Sequence, residues 1–470
     1  MNFIKMPFLF FFLVSLTVFA QNDCMQSFEE KYNTGQYQDA VEIAQTCPMI
    51  NENVELRYFK ARSLMYLTAY EAAIIDYRAL LKTNIKNVDY LNGLGAAYYM
   101  LKQNDSALVY YSKTLTYDEL HENALKNRCM LYFLDSEFEL ALTDVQTLLK
   151  IAPDNSNYWA DLGDVYAGLG DSIQALEAYD KGLELDPENT TVYASIAEYY
   201  SFKENYEKAH FYAEQGLAIN KADDLLYAIQ GDAFYFQDDL HYKEALKAYL
   251  KSYKLKEDEE VSYFVGLCYD ELNEPVKAAI YYKKAIELGS SDSDCYSNLA
   301  YLLYDSNPAE ALDLLKTAIQ LSPLDPYAYG IKGDLRYDSG DYEEAIEVYD
   351  LAIKHDTSYS YYIDRGWAYK ALDKNEAAIA DFTTSIEHGI YLEEAYYQRA
   401  LLYLDEGDLD AANLDLNACI ALNDQRADYF TTRAICKYRS GNIDAVCADM
   451  ERAKDLGDAE AKKYYKAYCK

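Results

Sequence analysis

Tryptophan is almost missing from this chain of 470 residues, which has two Trp beside 51 Tyr and 17 Phe. Histidine is scarce as well, and the five that occur (His121, His210, His241, His355 and His388) are dispersed. They form no HExxH pair, and no P-loop, dinucleotide fingerprint or GxSxG nucleophile elbow is present. The cysteine spacings make no paired CxxC framework, which argues against a zinc site. Basic residues are outnumbered 79 to 43, for a net charge of -36, so nucleic-acid phosphates and anionic lipid headgroups would be repelled. Carboxylates are so abundant that close pairs arise by chance and carry no case for acid/base catalysis. No cofactor and no metal are expected, and the chain reads as a non-enzyme.

Long apolar runs are missing too, except at the start. Residues Met6 to Ala20 follow Lys5 as one apolar stretch, with Val18 and Ala20 three and one residues before a cleavage point. The stretch ends at Gln21, short of the 20 or so residues a membrane helix needs, and nothing later approaches that length. Residues 1–20 are therefore expected to be a signal peptide, and the mature chain to be periplasmic or secreted. Gln21, Asn22 and Asp23 lack the small apolar residues that would prepare Cys24 for lipid attachment.

What remains has ordinary globular composition, 51% hydrophobic and 26% charged. Its length exceeds one ordinary core, which favours an array built by repetition. The tyrosine excess suggests one architectural slot filled again and again. Residues 156–189 show the period most clearly, with Trp159, Leu162, Gly163 and Tyr166, then Ala175 and Tyr179, then Pro187. This resembles the tetratricopeptide repeat, W-x2-L-G-x2-Y, A-x3-F, P, with Tyr in the Phe slot. The resemblance implies an all-α fold, a right-handed superhelical α-solenoid of antiparallel helix pairs.

Two series of small residues keep the same beat. Ala40, Ala73, Ala107, Ala141, Ala175, Ala209, Ala245, Ala278, Ala311, Ala345, Ala378 and Ala412 recur every 33 to 36 residues, in the second helix of each pair. In the first helix stand Ala61, Gly95, Cys129, Gly163, Ala197, Gly231, Gly266, Ala300, Gly333, Gly366, Ala400 and Ala434. Small residues at these places let the helices approach while aromatics fill the grooves beside them. Thirteen repeats are expected over 21–457, beginning near 21, 54, 88, 122, 156, 190, 224, 259, 293, 326, 359, 393 and 427. Residues 458–470, with Lys462, Lys463 and Lys466, would form a capping helix.

Departures are local. Repeat seven carries two extra residues in its turn, Gln237-Asp238-Asp239-Leu240. Repeat nine is one residue short around Asn307-Pro308, repeat one has a second helix that stops at Pro48, and repeat thirteen has Val446 where alanine is expected. The acidic run Glu257-Asp258-Glu259-Glu260 reads as a solvated loop and helix start, since a helix N-terminus favours negative charge.

The antiparallel pair would place Cys24 beside Cys47, and Cys447 and Cys469 could tie the cap to the last repeat. The segment 441–469 is similar to the closing segment of secreted repeat proteins of Bacteroidetes-type bacteria. Cys129 occupies a small packing slot and reads as a core thiol, while Cys268, Cys295, Cys419 and Cys436 stay unassigned.

The family resemblance implies that first helices line a concave wall that holds an extended peptide or partner protein. By phase, that wall should carry Asp164, Glu198, Asp232, Asp270 and Asp334, joined in the C-terminal half by Tyr301, Tyr304, Tyr337, Trp367 and Tyr397. The carboxylate-clamp subfamily uses groove Lys, Arg and Asn, whereas the matching positions here are mostly Asp, Glu or Tyr. An acidic tail is thereby disfavoured and a Lys/Arg-containing protein or peptide favoured. The alternative is a carbohydrate-handling accessory that binds glycans on the tyrosines. A largely buried Trp367 would weaken both readings.

Overall fold

The computed structural model describes residues 24–47, 50, 53–237, 241–356 and 358–469. The signal peptide expected over 1–20, Pro48, and Asp238 to Leu240 of the enlarged turn lie outside the described residues. Among those described there are helices and turns and no strand. The chain divides into two compact units, Met1–His241 and Tyr242–Lys470, so the division falls within the repeat expected from residue 224.

In each unit helices follow one another as antiparallel pairs, for example Ser156–Gly168 with Ser172–Leu185 in the first and Pro326–Asp338 with Tyr342–His355 in the second. Each alanine of the second-helix series, from Ala40 to Ala412, is fully buried. Val446 takes the same place in Ile443–Asp455 and is buried too. First helices of neighbouring repeats pack on one another, Ser156–Gly168 on Thr190–Phe202 and Ser293–Leu303 on Pro326–Asp338, whereas no comparable packing joins successive second helices. First helices thus stack directly on one another along part of each unit.

Two local devices set these boundaries. Most first helices begin on an Asn or Asp whose side chain accepts a backbone N–H of the first turn, as Asn53, Asn87, Asn155, Asp223, Asp258 and Asp325 do. Asp258 is the capping residue of the acidic run, and Glu259 and Glu260 follow in the first turn. Between the helices of a pair the chain passes through one left-handed residue. Gly170, Gly340, Gly407 and Gly441 supply it in some repeats, but Thr68, Lys102, Ser136, Glu204, Asn273 and Asp373 adopt the same conformation elsewhere. The following N–H reaches back to a carbonyl five residues earlier, as Asp171 N to Tyr166 O at 2.9 Å and Ala69 N to Leu64 O at 2.9 Å, closing the helix in a Schellman arrangement. The short repeat near Asn307-Pro308 dispenses with the left-handed residue: Asn307 N bonds to Leu303 O at 2.8 Å and Pro308 opens the next helix.

Both ends carry a disulfide, Cys24 with Cys47 and Cys447 with Cys469. The final helix, Ala459–Tyr468, packs on Ile443–Asp455, capped by Asp458. Cys129, Cys268, Cys295, Cys419 and Cys436 are buried free thiols, and burial pushes the first four up to about 12.

Candidate functional site

The site is built on the small slot of the first helix. Where that slot is glycine, the second helix answers with an aromatic ring: a Cβ at Gly95 would stand 2.7 Å from the Tyr111 ring, at Gly266 2.6 Å from Tyr282, and at Gly366 2.8 Å from Phe382. At Gly163 and Gly333 it would meet Tyr179 and Tyr349 closer still. In four repeats with a larger slot the facing residue is smaller, Cys129 with Val145, Ala197 with Ala213, Ala300 with Leu315 and Ala400 with Leu416, whereas Ala61 keeps Tyr77. All of these are buried. Two of these tyrosines reach through to the wall, where Tyr179 donates to Asp164 Oδ1 at 2.8 Å and Tyr349 to Asp334 Oδ1 at 2.7 Å. Asp164 and Asp334, expected on the partner-binding wall, are therefore also acceptors for core hydroxyls.

In the first unit Asp164, Glu198 and Asp232 stand in one electrostatic neighbourhood. Asp164 Oδ2 accepts from Ser195 Oγ at 3.1 Å. Burial pushes its carboxyl up to about 6 despite these hydrogen bonds. Asp161, one turn before it, is pushed to about 6 by burial and by the Asp164 charge. Glu198 opens to solvent, yet the protein crowded around it, with Asp164 and Asp232, raises it to about 7. A cavity of about 220 Å³ runs beside Asp161 and Asp164 toward Lys126 and Phe133.

In the second unit Tyr304, Asp334, Tyr337 and Trp367 converge. Together with Asp338, Tyr349 and Asp364 they line an open cavity of about 290 Å³. Tyr304 donates to Asp338 Oδ2 at 2.6 Å. Trp367 is half-buried, edge-on to Phe382 with centroids 6.4 Å apart, so its indole is shared between packing and the cavity wall. Asp334 is raised by burial, which outweighs the hydrogen bond from Tyr349. Asp364 is pushed up to about 7 by burial and by Asp334.

The other expected wall residues lie elsewhere in this unit. Asp270, raised by burial, and the exposed Tyr301 both bear on Tyr327. Tyr397 serves packing between repeats: its ring lies 4.9 Å from Tyr429, its hydroxyl pairs with Thr432 at 3.3 Å, and Arg426 sits over it. Asp161, Asp338 and Asp364 were not among the residues selected from the sequence. Asp161 and Asp364 share one register, two residues before the glycine slot, and that phase was the available signal.

Among the described residues no group of three or more His, Cys, Asp or Glu is arranged to hold a metal ion, and no helix is long and apolar enough to cross a membrane.

The packed pairs, capped first helices and in-phase small slots define a helical repeat protein, and the family comparison gives the class. Tetratricopeptide-repeat profiles match residues 58–118, 156–189, 301–360, 359–387 and 393–426. The chain is an all-α array of tetratricopeptide repeats. It is similar to the TPR repeat-containing protein MJ1428 of Methanocaldococcus jannaschii, 25% identical over 48% of this chain and 38% of that protein. It is also similar to the BBSome complex member BBS4 of Bos taurus, 24% identical over 68% of this chain and 56% of that one. The chain thus spans roughly two fifths to under two thirds of the length of these relatives. Among solved structures, a tetratricopeptide repeat protein of Parabacteroides merdae aligns with a TM-score of 0.45 at 21% identity, covering 53% of this chain and 98% of that one. The APC/C hetero-tetramer Cut9-Hcn1 gives 0.40 at 17% identity, covering 88% of this chain and 90% of that one.

Proposed function

We propose that this chain is a non-enzymatic interaction scaffold of the periplasm or of an exported compartment, which holds an extended segment of a partner protein against its first-helix wall. Tetratricopeptide-repeat proteins are generally protein-interaction scaffolds, and fold alone names no partner. The observation that carries the reading is the convergence of Tyr304, Asp334, Tyr337 and Trp367, from three successive first helices, on one open cavity. An aromatic and acidic wall without a reactive constellation suits recognition, where rigid aromatics supply contact area and carboxylates set partner charge.

Panning a random peptide library against the full chain tests this, with bound peptides mapped by photo-crosslinking. Crosslinks concentrated on first-helix residues are expected. Peptides that map to second helices, or glycans that bind where no peptide does, would sink it. The compartment is tested separately by the N-terminus of protein isolated from its native host, where Gln21 is expected as the first residue and an intact Met1 would refute export by cleavage.

A further inference from the structure

The cavity of the second unit is lined by seven residues, and none carries a positive charge. Three are carboxylates. Asp338 and Asp334 each receive one phenol hydroxyl, from Tyr304 and Tyr349. Asp364 forms no hydrogen bond or ion pair within the described residues, and the charge that bears on it is that of the like-charged Asp334. Lys370 lies outside the lining: its ammonium stands 5.1 Å from the Trp367 centroid and is tied to Gln398. The other four lining residues are aromatic, Tyr304, Tyr337, Tyr349 and Trp367.

Such a socket lacks one thing, a flat cation. Guanidinium stacks on aromatic faces and offers donors to several carboxylate oxygens at once, whereas an ammonium is a compact, more strongly hydrated point charge. The volume of about 290 Å³ lies at the lower bound for pockets that enclose whole drug-sized ligands, which fits one side chain better than an oligosaccharide.

The geometry points to this cavity as the specificity socket of the chain, taking a single arginine side chain presented by an extended partner segment. Asp364 and Asp334 receive the guanidinium edge and Trp367 with Tyr337 its faces. This rests on the scaffold reading for the source of the arginine, while the socket itself can be tested alone.

The probe is Nα-acetyl-arginine methylamide, with the citrulline analogue as its neutral isostere. The reporter is the full chain carrying Trp159→Phe, which leaves Trp367 as the sole indole. A saturable change in Trp367 fluorescence is expected with arginine amide, with affinity at least about tenfold weaker for citrulline amide and for Asp364→Asn, as a lost charged hydrogen bond implies. Calorimetry on the unsubstituted chain makes the same comparison should the reporter variant fold poorly. Equal response to citrulline, indifference to Asp364→Asn, or saturation by an oligosaccharide in place of arginine amide would each overturn the socket. If arginine amide is silent while displayed peptides still crosslink to the wall, the socket falls and the scaffold stands. If arginine amide binds and no peptide does, the socket stands and the scaffold falls.

Discussion

Tyr179 places its hydroxyl 2.8 Å from Asp164 Oδ1, across space that exists because the residue before that aspartate, Gly163, has no side chain. One neighbouring pair of sequence positions thus both opens the helix interface and finishes the hydrogen bonding of the ring that fills it. The same relation recurs at Gly333, Asp334 and Tyr349, where it also fixes one wall of the cavity.

Gly163→Ala is expected to destabilise the first unit by about 1–3 kcal/mol, the usual range for overpacking. The chain contains its own remedy, since Ala300 faces Leu315 and Ala400 faces Leu416 in other repeats. Gly163→Ala combined with Tyr179→Leu should recover more than half of the loss in urea denaturation. No recovery would mean that the slot and the ring are not matched by volume.

A second prediction concerns arginines that span three helices. Arg399 grips Asp415 through two bonds of 2.8 Å and reaches Thr383 at 2.8 Å, and Arg433 holds Asp449 and Asn417 in the same way. Asp415 is almost wholly buried. Asp415→Asn should cost about 3–5 kcal/mol, because it breaks a buried ion pair from one side. At the equivalent places near residue 100 stand Leu94 and Tyr110. The double change Arg399→Leu with Asp415→Tyr should therefore be much closer to neutral, as measured by thermal unfolding.

Thr68 adopts φ 56° in the turn that Gly170 serves elsewhere. A β-branched residue is poorly suited to that region. Thr68→Gly is expected to stabilise by about 1 kcal/mol, visible as a raised urea midpoint, and an unchanged or lowered midpoint would contradict the assigned strain.

The acidic wall gives stability an unusual pH slope. Asp364 rises from an ordinary 3.8 to about 7 in the folded chain, so between those values the folded state holds a proton that the unfolded state has released. Its contribution is full below about pH 4 and is lost as pH climbs to about 7. Asp364→Asn removes the penalty, and should stabilise by about 1 kcal/mol at pH 8 after allowance for solvent screening, with little effect at pH 4. Equal effects at both pH values would remove charge as the cause.

The repeat was legible because residue size at a fixed period is a one-dimensional signal, and the alanines from Ala40 to Ala412 are all buried as their phase requires. The cavity was half legible. Tyr304, Asp334, Tyr337 and Trp367 follow from first-helix phase; Asp364 keeps the register of Asp161 and Asp338 lies one turn beyond Asp334, signals that the abundance of carboxylates along the chain obscured. Turns through Thr68, Glu204 and Asp373 were hidden for another reason: tertiary packing holds them in a conformation that only the glycine versions advertise. The Arg–Asp pairs were present at a constant separation of 16, masked by the abundance of unpaired charge around them.

The arrangement of sulfur sets a problem of timing. Each disulfide closes a short span, 23 residues at one end and 22 at the other, and short spans meet at lower entropic cost than long ones. The five thiols between them are sheltered only once the helices have packed. A chain oxidised while still unfolded would expose all nine sulfurs to one another, so bridged ends with a reduced middle require helix pairing to precede oxidation.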